Sequence, residues 1–98
     1  MTAVFGNNTM AIRQYLNGFI ENSNNILANI RLSIQAKEIE NIKNYFHQLS
    51  GPAGSSGFMK IYKLCKIGEE KASEFSLEEI EETCVEIEKI LKKIKDTI

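Results

Sequence analysis

The stretch that decides the fold is SLEEIEETCVEIEKILKKIKDTI, Ser76–Ile98. Ser76 and Glu79 have the spacing of an S-x-x-E capping box, and Phe75 with Ile80 fits a hydrophobic staple. We therefore expect a helix to begin at Ser76. Glutamates occupy its first turns and lysines its last, as the helix dipole favours. Its apolar residues alternate steps of three and four, which is typical of a helix in a left-handed bundle. They are Leu77, Ile80, Cys84, Ile87, Leu91, Ile94 and Ile98.

A helix of this kind could also pair with a second copy of itself in a coiled coil. The repeat spans only about three heptads, and the apolar stripes elsewhere in the chain need a partner within the same molecule. We therefore predict an all-α fold, an up-down antiparallel four-helix bundle. The competing interpretation is a helical protein that self-associates through residues 77–98.

Two further apolar stripes precede the middle of the chain. The first indicates a helix over Thr9–Ile34, for which Asn7, Asn8 and Thr9 offer N-cap oxygens. The second covers residues 36–49, and no Gly or Pro separates the two stripes. A break within residues 33–37 and one continuous long helix are therefore both open. The apolar residues of the first stripe are Ile12, Leu16, Phe19, Ile26 and Ile30.

The glycine-rich stretch SGPAGSSG, residues 50–57, should interrupt the second helix. Pro52 has no backbone donor and disfavours a helical residue before it, so we expect the chain to turn after Leu49. A third helix should restart by about Gly57 and end within residues 72–74. Gly68 in this helix would allow a close contact with a neighbouring helix.

Length and composition indicate one globular domain. The chain has 98 residues, of which 43% are hydrophobic and 26% charged, and it has one proline. We predict a single domain over residues 9–98, preceded by an N-terminal segment, residues 1–8. The net charge is −1 with acids and bases intermixed, so the basic stripe of a nucleic-acid-binding protein is missing.

Membrane and metal partners are not expected either. No apolar run approaches the length of about 20 residues that crosses a bilayer, and the first ten residues do not form a signal peptide. We therefore expect a cytoplasmic protein. Cys65 and Cys84 form no CxxC motif and fall on apolar stripes, where cysteine behaves as a small buried hydrophobe. With one histidine and these two cysteines, we predict no metal site.

His47 is the only histidine, and it directly precedes the glycine-rich stretch. It lies about 100° around the helix from the centre of the second stripe, so its ring should be reachable by solvent or a partner. A neutral imidazole is a competent nucleophile near pH 7, and Gly51 would leave room for a phosphoryl group. The competing interpretation is a polar residue favoured by the dipole at a helix C-terminus. Candidate donors to a phosphoryl group are Lys43, Ser50, Lys60 and Lys63.

The same residues resemble the histidine-containing phosphotransfer (HPt) domain family. Its motif is approximately H-x-L-K-G-S-S-x-x-L-G, followed by an apolar residue and a cysteine at helical spacing. The resemblance is close over residues 47–65 and loose over the rest of the four-helix pattern. Without a gap, the matching positions are His47, Leu49, Gly51, Gly57, Ile61 and Cys65.

The resemblance implies a role for each matching residue. His47 would be the phosphoryl acceptor, Leu49 a core anchor, and Gly51 the residue that lets a phosphoryl group and a partner approach. Gly57 would serve close packing where the two central helices meet, and Cys65 would be a structural residue of the motif.

The sequence departs from the motif at four positions. Ser50 stands where the family usually has a lysine that assists the phosphorylated histidine. Pro52 and Ala53 replace two small polar residues, and Ser56 replaces an apolar one. A serine hydroxyl can still donate one hydrogen bond, and Lys43 lies one helical turn before the histidine. We therefore expect phosphoryl transfer to be retained.

The resemblance implies a phosphocarrier rather than an enzyme. His47 would take a phosphoryl group from a receiver-domain aspartyl phosphate and pass it to another receiver aspartate in a two-component system. The partners would be response-regulator receiver domains and, as a further candidate, a hybrid histidine kinase. The chain would act as a monomer without a cofactor, since ATP and magnesium sites belong to the partners. The alternative is a degenerate HPt-like docking module that binds a receiver or kinase without carrying phosphate.

Overall fold

The computed structural model describes the backbone of residues 2–98 and the side chains of residues 9–98. It contains four helices and no strand within this part of the chain: α1 (Thr2–Ala36), α2 (Ile39–Ser55), α3 (Met59–Ser73) and α4 (Leu77–Thr97). Each helix packs on its neighbours in the order α1, α2, α3, α4 and back to α1. The short connections reverse the chain at every turn, and the predicted antiparallel four-helix bundle is confirmed.

The core lies along the bundle axis and uses the predicted stripes. α4 buries its central apolar positions, and Leu77, Ile94 and Ile98 pack against the core from its ends. Because α4 packs these residues into the core between α1 and α3, the stripe of residues 77–98 is not available for self-association. The side chains with no solvent exposure include Ile30, Ile42, Phe46, Leu49, Ile61, Cys65, Ile80, Cys84 and Ile87.

α1 is longer than predicted. It begins at Thr2 rather than near Thr9, so the capping position expected within residues 7–9 lies inside the helix. The side chains of Asn7 and Asn8 are outside the described ones, and the division of the chain at residue 9 stays a prediction. At 1.5 Å per residue α1 is about 52 Å long against about 32 Å for α4. Its first turns therefore extend past the bundle, and Ile12 is 57% exposed rather than buried.

Three helices end in the same hydrogen-bonded turn. Lys37, Gly57 and Phe75 have φ of 58°, 81° and 58°. In each case the following amide donates to the carbonyl five residues before it, at 2.9, 2.9 and 3.0 Å. This is the Schellman motif, which ends a helix at a left-handed residue. The break between α1 and α2 is thus confirmed at Lys37, and one continuous helix is wrong.

The turn expected after Leu49 is wrong by six residues, because α2 continues to Ser55 with Pro52 inside it. The proline removes one intrahelical donor. The last turn nevertheless buries Ala53 completely against the core, and the left-handed Gly57 ends the helix beyond it. Packing and the helix-ending turn together outweigh the local preference of proline.

Ser76 is the N-cap residue of α4, as predicted, but the capping interactions differ. Its side chain makes no capping hydrogen bond to the backbone. The Glu79 carboxylate instead lies 3.0 Å from Lys71 Nζ, and hydrogen bonds from Lys71 and Ser76 hold the pKa of Glu79 below its ordinary value. Phe75 is 72% exposed, so it does not form the expected staple over Ile80.

An ion-pair network that the sequence reading did not anticipate joins α1 to α4. Arg31 Nε lies 2.8 Å from Glu81 Oε1, and its two terminal nitrogens lie 2.5 and 2.8 Å from the Glu88 carboxylate. The hydrogen bonds from Arg31 hold the pKa of Glu88 below its ordinary value. A bidentate arginine–carboxylate pair of this geometry is among the stronger surface interactions.

Glu88→Gln should therefore lower the free energy of unfolding at pH 7 by about 1 kcal/mol. A carboxylate whose folded pKa is lowered stabilises the protein above its unfolded value of about 4.3. That stabilisation disappears as the pH falls through the folded value. Urea unfolding of both proteins from pH 7 to pH 3 should show the difference vanish at the acid end. Glu82→Gln on the exposed side of α4 is the control, and an equal loss there would contradict a specific role of the pair.

α2 and α3 are in close contact where Phe46 meets Gly68. The Phe46 ring has no solvent exposure. A Cβ added at Gly68 would lie 2.5 Å from Phe46 Cζ and 2.6 Å from its Cε2, which is closer than real Cβ atoms approach. The close contact expected for Gly68 is confirmed, and glycine is needed there for space.

Gly68→Ala should destabilise the protein by about 1–3 kcal/mol, because overpacking outweighs the better helix propensity of alanine. Gly51→Ala is the matched control. Gly51 is exposed, and a Cβ there would meet nothing within 4 Å. The control should keep or raise the stability. Urea unfolding measures both changes, and two substitutions of equal effect would refute the steric argument.

Candidate functional site

His47 lies on the outer side of α2, as predicted. Its neighbours in the helix, Phe46 and Leu49, are both fully buried and fix which side of α2 faces the core. The His47 side chain is consequently 72% exposed. The flank position inferred from helical periodicity is confirmed.

α3 places two charged residues beside the His47 side chain. His47 Nδ1 lies 3.5 Å from Glu69 Oε1, and Lys66 Nζ lies 3.3 Å from Glu69 Oε2. Lys66 also lies over the ring of Tyr62, 5.3 Å from its centroid. The imidazole and the ammonium group therefore share one carboxylate. His47, Lys66 and Glu69 together form the His47 cluster.

Sequence reasoning missed Glu69 and Lys66 and named Lys60 and Lys63 instead. Both of those lysines are exposed, and they precede the turn of α3 that reaches His47. The i, i+3 spacing of Lys66 and Glu69 does predict an ion pair between them. Whether this pair faces His47 depends on the register between α2 and α3, which is set by contacts between residues distant in sequence.

Ser50 is not placed as a donor toward the imidazole. Its hydroxyl donates a 2.7 Å hydrogen bond to the backbone carbonyl of His47, and the residue is only 5% exposed. Serine commonly bonds back to the preceding turn of a helix in this way. In the free protein the hydroxyl proton is therefore engaged with the backbone, and a hydrogen bond from Ser50 to a phosphoryl group stays a prediction.

Gly51 and Lys43 flank His47 along α2. Gly51 is exposed, and the position of a Cβ there is open space, which agrees with the expected room beside the ring. Lys43 is half-buried one turn before the histidine. Gly51 therefore leaves space beside the His47 ring, and Lys43 is the cation of α2 nearest to His47 in sequence.

The remaining motif residues have structural roles. Leu49 and Cys65 are fully buried, as expected. Burial raises the pKa of Cys65 to about 12, so its thiol stays protonated and packs as an apolar group. The close-packing role implied for Gly57 is wrong, because a Cβ there would meet nothing within 4 Å. Gly57 supplies the left-handed turn after α2, and Gly68 supplies the close contact.

The aromatic and long apolar side chains of the bundle differ in exposure. Tyr15 and Met59 are 55% and 51% exposed. Tyr45 and Tyr62 are partly buried against the core. Phe19 is buried, and its ring stacks on Phe58 with centroids 5.0 Å apart.

The described residues also bear on two other kinds of site. No group of three or more His, Cys, Asp or Glu side chains among them could hold a metal ion. None of the four helices, over the part of the chain that the structure describes, is long and apolar enough to cross a membrane. Cys65 and Cys84 are both free and buried.

Comparison with known families identifies the class of this bundle. The family model of the Hpt domain matches residues 14–97. The match covers most of the chain, with the greater part of α1 and all of α2, α3 and α4, so the chain belongs to the Hpt domain family. Proteins of this family are phosphocarriers of histidine–aspartate phosphorelays rather than classical enzymes, and they interact with receiver domains. No curated protein and no solved structure matches the chain.

Proposed function

We propose that this Hpt domain is a phosphorelay carrier in which His47 takes a phosphoryl group from a receiver-domain aspartyl phosphate and passes it to another receiver aspartate. The observation that carries the proposal is the placement of the imidazole. It is 72% exposed, and its Nδ1 lies 3.5 Å from the Glu69 carboxylate. Nε2 is then the nitrogen available to an incoming group.

The reaction needs a neutral imidazole and an approachable phosphorus. The Nε2 lone pair forms the new N–P bond while the P–O bond to the receiver aspartate breaks. Both electrons of that bond leave on the aspartate carboxylate. The proton on Nδ1 stays on the ring, where the Glu69 carboxylate stabilises the positive charge that the ring acquires. Transfer to the second receiver reverses these steps.

The open space at Gly51 lets a second protein and a phosphoryl group approach the ring of His47. Farther along the bundle, Tyr15 and Met59 offer exposed apolar surface of the kind that anchors protein interfaces. A hybrid histidine kinase could present such a receiver. ATP and magnesium would be bound by the partners, and the Hpt domain would act as a monomer.

We also infer that the domain works in the cytoplasm. The phosphoryl groups of two-component systems derive from ATP there, and two free thiols suit a reducing compartment.

Gly51→Ala should slow transfer from a phosphorylated receiver although the protein stays folded. The added methyl group would occupy space that the free protein leaves open, so any loss arises on approach of the partner. Rapid-quench measurement of phosphate on His47 tests this, with the urea midpoint as the control for folding. An unchanged rate would remove Gly51 from the docking site.

His47→Gln tests the proposed function itself. The purified protein is mixed with each of several phosphorylated receiver domains and magnesium, and phosphate is followed by Phos-tag gel and intact mass. We expect acid-labile, alkali-stable phosphate on the wild type and none on His47→Gln. Glutamine preserves a polar side chain at an exposed position, so folding should not change.

A second function is favoured by the site around Ser50. The usual lysine is missing, and the serine hydroxyl is bound to the backbone. A docking module would bind a receiver or kinase without carrying phosphate. Two results together would establish this alternative and refute the carrier. No receiver phosphorylates the wild type, and a receiver still binds both the wild type and His47→Gln with the same affinity.

A further inference from the structure

The site lacks the lysine that the family motif provides on α2. Ser50 occupies that position, and its hydroxyl is used by the His47 carbonyl. A phosphoryl group on His47 brings about two negative charges to an exposed imidazole beside the Glu69 carboxylate. Such a group needs a nearby cation for the transfer to be favourable. The charged groups close to His47 in the bundle are Lys43 on α2 and Lys66 and Glu69 on α3.

Lys66 is the cation that the structure ties to the histidine. Its Nζ and His47 Nδ1 contact the two oxygens of the same carboxylate, at 3.3 and 3.5 Å. The ring of Tyr62 lies below the ammonium group and helps to hold it at the site. The Lys66 side chain is 42% exposed, so it keeps the freedom to move toward a group on the imidazole.

We propose that Lys66 supplies the charge stabilisation that the motif lysine provides in other members of the family, so that the cation has moved from α2 to α3. The proposal rests on the function of His47 proposed above. In the unphosphorylated protein Lys66 pairs with Glu69. A phosphoryl group with two negative charges attracts the ammonium group more strongly than a single carboxylate does. The Lys66 ammonium group then turns to the phosphoryl oxygens. The Glu69 carboxylate stays beside Nδ1, whose proton remains on the ring.

A small phosphoryl donor tests Lys66 without a docked partner. With phosphoramidate, Nε2 of His47 forms the N–P bond and the P–N bond of the donor breaks. The donor nitrogen is already protonated, so it leaves as ammonia with the electron pair of that bond, and the Nδ1 proton stays on the ring. Lys66→Met should slow the formation of phosphohistidine about fivefold, the effect expected of one nearby cation partly screened by water. Lys66→Arg keeps the charge and should stay within about twofold of the wild type.

Two control variants separate this role from general electrostatics. Lys89 pairs with Glu86 at 3.4 Å on α4 with the same three-residue separation, so Lys89→Met removes an equivalent exposed pair far from His47. It should leave the rate unchanged. Lys43→Met removes the competing cation on α2 and should slow the reaction less than Lys66→Met does.

The phosphorylation rate of the wild type should also fall with added salt, and Lys66→Met should lose most of that dependence. A purely structural role of Lys66 would not produce this result.

The outcomes distinguish this inference from the proposed function. A wild type that is phosphorylated on His47 at the same rate as Lys66→Met overturns the role of Lys66 and leaves the carrier intact. A loss confined to Lys43→Met assigns the role to α2 and also overturns it. If neither phosphoramidate nor any receiver phosphorylates the wild type, the carrier and the role of Lys66 both fail.

Discussion

The contact between the Phe46 ring and Gly68 is the constraint on which the site depends. It brings α2 and α3 closer than any side chain at position 68 would allow. His47 directly follows Phe46, and Glu69 directly follows Gly68. The contact that closes the core therefore also places the imidazole opposite the carboxylate, at 3.5 Å. Core packing and site geometry are consequences of the same helix register.

The His47 cluster combines exposure with order. The imidazole is open to a partner, but its Nδ1 faces an acid that is itself paired with Lys66. An exposed histidine on a single helix would rotate freely. Here a second helix restricts it and leaves Nε2 open, which would lower the entropic cost of the transfer that we propose. The arrangement requires no pocket, as suits a carrier whose substrate is attached to another protein.

Much of the fold could be predicted from periodicity. The apolar stripe of α4, the N-cap at Ser76 and the exposure of His47 follow from local patterns of three to four residues. The end of α2 could not be predicted this way. The burial of Ala53 and the left-handed turn at Gly57 prevail over the breaking effect of Pro52, and burial is a property of the whole bundle. The start of α1 was misplaced because polar residues that suit a cap also occur within a long helix.

The charged parts of the site were the least predictable. Glu69 and Arg31 lie in ordinary polar positions of their helices, and nothing in the local sequence separates them from other charged residues. The partner of Glu69 is 22 positions away along the chain, and the partners of Arg31 are 50 and 57 positions away. Such pairs depend on helix register. For the same reason the resemblance placed the close packing at Gly57, whereas the register places it at Gly68.

The most direct test of this account uses the single histidine of the chain. With ¹⁵N-labelled histidine, long-range proton–nitrogen spectra of the free and the phosphorylated protein contain one imidazole and need no assignment. We predict a free ring protonated on Nδ1 and a phosphorylated ring with phosphorus bonded to Nε2. Phosphorus on Nδ1, or a ring that never acquires phosphorus, would contradict the account that α3 holds one nitrogen of His47 and leaves the other for transfer.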